Sequence, residues 1–232
     1  FLYFSYLFFA AGLNKDEKKN VLMLLLLFIG AAAFWSGFDQ SAGSLTIFTR
    51  DYVNLSFGSF SAPVSWAQFI NPLFIVIFAP FFSAFWIFLG KRNLDPSMPI
   101  KFAIGLFFMA GGFIVILYAV KYALVSSPVG VQWILITYLL HTFGELTLSP
   151  VGLSAFSKYS PKKYLGQMMG IWFLASSLGG VLAGLFGGKA SSSGLDSLSV
   201  VFGELITYYF IIAAIIIVLS FFIKGVTYKD NV

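Results

Sequence analysis

Apolar residues run through this chain in long blocks, separated by short stretches where the charged and turn-forming residues collect. A helix needs about 20 consecutive apolar residues to cross the ~30 Å hydrocarbon core of a bilayer. Six blocks meet that need: Val21–Phe48, Pro63–Leu89, Phe102–Val120, Val131–Ala155, Leu165–Gly187 and Val200–Ile223. Ahead of them, Phe1–Leu13 is apolar but too short to cross, and it lacks the basic start and small-residue cleavage site of a signal peptide. It reads as the end of a preceding helix, so the chain is expected to be a piece of a larger protein. The expected organisation is a helix end over 1–13, a cytoplasmic loop over 14–20, a six-span bundle over 21–224 and a cytoplasmic tail over 225–232. Pro72 and Pro80 in the second block and Pro150 in the fourth predict helix breaks, because each removes a backbone donor. Membranes tolerate such breaks where the freed groups line a cavity.

Composition agrees with lipid as the solvent. The chain is 59% hydrophobic and 10% charged, with a mean hydropathy of +0.91, against about 25% charged residues in ordinary soluble domains. A secreted enzyme, a nucleic-acid binder and a disordered protein are excluded. With no cysteine and one histidine, thiol chemistry and a multi-histidine zinc site have no ligands to draw on. No nucleotide-binding or nucleophile-elbow motif occurs, so no cofactor is expected, and any driving energy must come from an ion gradient or a partner. The net charge of +5 is an orientation signal. Eleven of the 14 basic residues fall in alternate loops, leaving Arg50, Lys121 and Lys189 for the opposite side. The positive-inside rule makes the richer side, and the C-terminus, cytoplasmic. Spans one to three then start inside and spans four to six outside. This predicts an all-α membrane protein built of two inverted three-helix repeats, the architecture of one half of a major-facilitator-type transporter.

Two acids interrupt the apolar blocks. Asp39 lies in the first span and Glu145 in the fourth, whereas Asp16, Glu17, Asp51, Asp95, Asp196, Glu204 and Asp230 fall in or near loops or span ends. An acid at the centre of a membrane helix costs ~2.5–3.5 kcal/mol on insertion scales and marks an ion or substrate path. At 1.5 Å per residue, Asp39 is about 27 Å from the inner end of its span and Glu145 about 21 Å from the outer end of its own. A shared-proton dyad in an intramembrane hydrolase needs adjacent carboxyls, and a depth difference of ~15–20 Å disfavours it; a receptor that does not transport remains a third reading. Tyr138, His141, Thr142, Glu145 and Ser149 form one polar stripe at helical spacing, in which His141 and Glu145 can touch as a proton relay or a packing pair. Asn71, before Pro72, places an amide inside the second span. Trp66 and Trp133 suit the membrane interface, while Trp35 and Trp172 lie deep enough to wall a cavity. Gly180, Gly184 and Gly188 form a small-residue stripe suited to close helix packing.

Five segments, in order, carry a family resemblance: Phe34-Trp-Ser-Gly-Phe-Asp-Gln40 with Ser41-Ala-Gly-Ser-Leu45, Gln68-Phe-Ile-Asn-Pro-Leu-Phe74, Pro96-Ser-Met-Pro-Ile-Lys-Phe102, Gly144-Glu-Leu-Thr-Leu-Ser-Pro-Val-Gly-Leu-Ser154 and Met168-Met-Gly-Ile-Trp-Phe-Leu174. The chain resembles the proton-dependent oligopeptide transporter (POT, or PTR2) family. The resemblance implies a symporter of the bacterial inner membrane that imports di- and tripeptides by alternating access, with protons as coupling ion. This chain would be its C-terminal six-helix bundle, partnered by an N-terminal bundle that is not among these residues. The resemblance sets Glu145 in the central cavity to meet the peptide's amino group, Asn71 and Ser149 along the same pocket, and Trp35 and Trp172 as aromatic walls. Asp39 would serve the outer gate and proton coupling, where the family usually has Glu, one methylene longer. Gly179-Gly180 stands where many relatives have Gly-Asn. The stub before Lys15 resembles the end of the helical hairpin that bacterial members insert between bundles.

Overall fold

In the computed structural model, residues 2–190 and 194–222 are described. The expected tail 225–232, the last residue of the expected sixth span, and Lys224 and Lys229 lie outside them. A short helix, α1 (Leu2–Phe9), precedes α2 (Lys15–Phe38), α3 (Ser44–Tyr52), α4 (Ala67–Lys91), α5 (Met98–Ala123), α6 (Gln132–Tyr159), α7 (Leu165–Ala190) and α8 (Gly194–Phe222). Six segments are long and apolar enough to cross a membrane, the first being α2 and α3 together.

The helices outrun the apolar blocks because charged and polar ends are helical too. Residues 15–20, expected as loop, are the first turns of α2. Asn14 Oδ1 accepts the amides of Asp16 (3.0 Å) and Glu17 (2.9 Å), and the Glu17 carboxylate accepts the Asn14 amide in return. Such a reciprocal cap satisfies donors that a helix start leaves open. Glu204, expected near a span end, stands ten residues inside α8 and pairs with Lys189 of α7 at 2.7 Å.

The first span is not one helix. α2 ends at Phe38, a 3-10 turn covers Asp39–Ser41, and α3 restarts at Ser44. Side chains take up the groups this break exposes, as a membrane requires. Gln40 is buried; its amide donates to Ala183 O of α7 (3.0 Å), and its Oε1 accepts the Ser44 hydroxyl (2.7 Å). Thr46 donates to Ser41 O (2.5 Å). The prolines behave the other way: α4 runs through Pro72 and Pro80, and α6 through Pro150, without ending. Each costs its helix one donor, and the ladder resumes on either side.

The loops joining α3 to α4 and α5 to α6 hold four two-residue strands that the apolar pattern does not predict. β1 (Val53–Asn54) pairs in parallel with β4 (Val129–Gly130), and β2 (Ser56–Phe57) forms a hairpin with β3 (Phe60–Ser61) around Gly58, whose φ is +64°. Trp66, just before α4, is exposed, and Trp133 opens α6.

Lipid tails are as apolar as leucine, so the helices associate through close packing rather than hydrophobicity. α5 lies along both α6 and α8, and α2 along α7. Exchanging the two triplets maps the α2–α7 pairing onto α6–α4, also present, and maps α5–α8 onto itself, as inverted repeats require. At the α5–α6 crossing, a Cβ on Gly105 would stand 3.0 Å from Gly144 O, and one on Gly144 2.7 Å from Gly105 O. The small residue that seats α7 on α2 is Gly179, where a Cβ would meet Trp35 Cβ at 2.5 Å. The expected stripe lies on the next face round: Gly180 looks onto Asp39 Oδ2 at 3.2 Å, and around Gly184 there is open space. α1 folds back on the bundle, with the Tyr3 hydroxyl bonded to Gln167 and Tyr6 against Tyr164.

Candidate functional site

Glu145 stands half-way along α6. The carboxylate is half-buried, and Oε2 accepts a hydrogen bond from Asn71 Nδ2 at 3.0 Å. The same amide donates to Thr142 Oγ1 at 3.0 Å, while the Thr142 hydroxyl donates to Tyr138 O at 2.7 Å. Thr142 therefore receives one bond and gives one, which fixes the amide, and the amide fixes the carboxylate. Asn71 is one of only two buried residues in α4, at 6% exposure. Among the described residues no cation lies within ion-pair distance of Glu145, and Oε1 has no partner. A half-buried carboxylate held by neutral donors alone is open to a proton or an ammonium group.

One turn further along α6, Ser149 faces a cleft of about 380 Å³. Trp35 of α2 and Trp172 of α7 form its walls, joined by Phe173 and Ser176. Trp172 is rigidly seated: it is buried, lies over Gly152, and packs against Phe156 (ring centres 5.3 Å apart) and Phe102 (6.4 Å). The Ser149 hydroxyl is buried with no hydrogen-bond partner among the described residues. An unpaired buried hydroxyl costs about 1–3 kcal/mol, a deficit that a ligand in the cleft would remove.

The structure thus groups Asn71 with Glu145, and Trp35 with Ser149 and Trp172, and the two groups meet through one turn of α6. It does not bring Asp39 to Glu145. Asp39 caps α2 at the break, one turn beyond Trp35, beside Gly180, and its carboxylate has no partner among the described residues. The two acids form no dyad there. His141 also departs from expectation. It turns away from Glu145 into the α5 side, where it lies against Gly112 and the Phe113 ring (4.9 Å), fully buried with Nε2 unpaired. Its position, 60° from Tyr138 on the helical wheel, puts it at the margin of the stripe. Thr142 and Ser176 are the site residues that sequence reasoning left unassigned. Thr142 was legible as a stripe member three residues before Glu145, and Ser176 as the position one turn after Trp172. Among the described residues no group of three or more His, Asp or Glu gathers as a metal site.

The profile of the POT family (PTR2) matches residues 4–191. The chain is 41% identical over 220 residues to the peptide transporter YePEPT of Yersinia enterocolitica, covering 94% of this chain and 43% of that protein. It is 33% identical over 180 residues to a di-/tripeptide transporter of Lactococcus lactis subsp. cremoris, covering 76% of this chain and 36% of that one. A crystal structure of a POT family transporter in complex with 5-aminolevulinic acid superposes with a TM-score of 0.86 at 30% identity, over 97% of this chain and 46% of that chain. The chain therefore spans less than half the length of the relatives it matches.

Proposed function

Since the chain belongs to the POT family, with the six-helix half-transporter fold, we propose that it supplies the C-terminal bundle of a proton-coupled symporter that imports di- and tripeptides. The observation that carries this reading is the Asn71–Glu145 pair. It is a membrane-buried carboxylate, oriented by a neutral amide, with no countercharge, one turn from an aromatic-walled cleft. The ammonium of a peptide supplies the missing charge at Glu145. Its residues extend towards Ser149, between Trp35 and Trp172. Asp39, at the break in the first span, is the proton-responsive gate: ionised, it pairs with a cation of the N-terminal bundle, and protonation releases that pair. Alternating access is rocking of the two bundles about the site. Coupling follows if proton and peptide bind the two orientations with different affinities. The setting is the bacterial inner membrane, with the basic loops and the C-terminus in the cytoplasm.

The test is uptake of labelled dipeptide by the intact transporter in vesicles, with and without an inward proton gradient. Glu145→Gln keeps the shape and removes the charge, and gradient-driven uptake is expected to be lost. Uptake at the parental level would remove Glu145 from the mechanism. Asp39→Asn is expected to retain peptide exchange while losing its dependence on the gradient.

A further inference from the structure

The second half of α4 stands away from α5, and a cleft of about 570 Å³ opens between α4, α5 and α6. Phe82, Phe85 and Trp86 of α4, Ile104 and Phe108 of α5, and Phe143 of α6 line it. The one hydroxyl on its wall, that of Thr147, is already given to Phe143 O at 2.7 Å. This cleft is separate from the site above. Phe143 and Thr147 leave α6 about 160° from Glu145 at 100° per residue, and α5 contributes no residue to the site. Its opening therefore faces away from the side on which Glu145, Ser149 and Trp35 await the other bundle.

Three features describe what fits there. The first is length. From Phe78 to Lys91, α4 covers about 20 Å at 1.5 Å per residue, so its tilted wall spans one leaflet, about half of the ~30 Å core. The second is charge. Lys91 and Arg92 close α4 and are exposed at the cleft's end, with the Arg92 guanidinium 4.2 Å over the Phe88 ring. Lys101 lies behind them, 4.5 Å over the Trp86 ring and 2.7 Å from Asp95, the one acid at this end. Three cations against one carboxylate leave the mouth positive at the level of the membrane surface. The third is the Trp86 indole N–H, which is buried and has no acceptor among the described residues.

The geometry points to a binding site for an anionic phospholipid, with one acyl chain in the aromatic cleft between α4 and α5 and the phosphate at Lys91 and Arg92. The glycerol ester, one turn below the phosphate, brings a carbonyl to the level of Trp86. A zwitterionic lipid fills the same cleft but adds no net charge at the mouth. This inference is independent of the transported substrate.

Brominated lipid tests it, because bromine on an acyl chain quenches tryptophan at close range. The intact transporter is placed in phosphatidylcholine nanodiscs doped with either phosphatidylglycerol or phosphatidylcholine brominated on one chain. The expected result is that the Trp86 component, defined by its loss in Trp86→Phe, is quenched at a roughly tenfold lower mole fraction of the brominated phosphatidylglycerol. That is the order expected of two cations near an anionic headgroup. The Lys91→Gln/Arg92→Gln double variant is expected to abolish that preference while retaining peptide uptake. Equal quenching by the two lipids, absence of quenching, or a preference that survives the double variant would each overturn the site. If Trp86→Phe does not fold, the double variant read on total emission decides by the same criteria.

Discussion

At the scale of single residues, the site depends on a few unpaired or singly paired polar atoms, and each supports a distinct expectation. Removing the Asn71 amide leaves the Glu145 carboxylate without its donor and Thr142 Oγ1 without the bond it accepts. A hydrogen bond to a charged group is worth about 1.5–3 kcal/mol, so Asn71→Ala should raise the KM for dipeptide by roughly 10- to 100-fold, measured as concentration-dependent uptake. Ser149→Ala separates folding from binding. The hydroxyl has no partner in the empty cleft, so thermal stability in detergent should hold or rise, while peptide affinity falls. A loss of stability would mean that the hydroxyl is already satisfied. Glu145, Asn71, Ser149, Trp35 and Trp172 were legible in the sequence, because polar or indole groups deep in apolar blocks have few reasons to be there. The direction of His141 was not legible. Two residues 100° apart on a helical wheel look alike until a neighbouring glycine opens a slot for one of them, and Gly112 does so on α5.

At the scale of elements, the break in the first span and the seat of α7 on α2 are one construction. Gln40 ties the broken segment to Ala183 O, and Gly179 lets α7 come close enough for that bond to form. Gly179→Ala should therefore lower the apparent Tm, with a cost of about 1–3 kcal/mol for overpacking. Gly184→Ala, on the same helix with open space around it, should leave the Tm unchanged. Equal effects of the two would contradict this reading of the interface. The six spans themselves were legible from block length. Their ends were not, because charged turns such as 15–20 continue a helix once Asn14 and Glu17 cap it. Nor was the break at Asp39–Gly43, since Gln40 and Ser44 satisfy it across 143 and 4 residues of sequence, and pattern within a span shows only the second. The prolines misled in the opposite sense, for a single missing donor does not stop a helix whose ladder closes above and below it.

At the scale of the whole molecule, orientation can be checked directly, because the chain has no cysteine. A cysteine introduced at Phe57, exposed in the β2–β3 hairpin, should react with a membrane-impermeant thiol reagent on intact cells. One at Leu94, exposed beside Lys91 and Arg92, should react only after permeabilisation; the reverse pattern would invert the topology. The inverted topology of the two triplets was foreseeable from the alternation of charged loops, although no sequence repeat announces it, and the pairing of α2 with α7 and of α6 with α4 agrees with it. The oblique course of α4 was not foreseeable. Asn71 meets one flank of α6 at Thr142 and Glu145, and further along Phe78 and Phe82 meet the opposite flank at Phe143, with ring centres 5.1 and 5.2 Å apart. That course has a mechanical result. Among the described residues, the two bonds of the Asn71 amide are the side-chain hydrogen bonds that tether α4 to the rest of the bundle. Under the proposed function, a peptide ammonium pairing with Glu145 at its open Oε1 acts on the same carboxylate that the Asn71 amide holds, and so on the helix's lean. On that reading occupancy and lean are reciprocally linked, and a bound peptide is felt through the same side chain that steadies the wall.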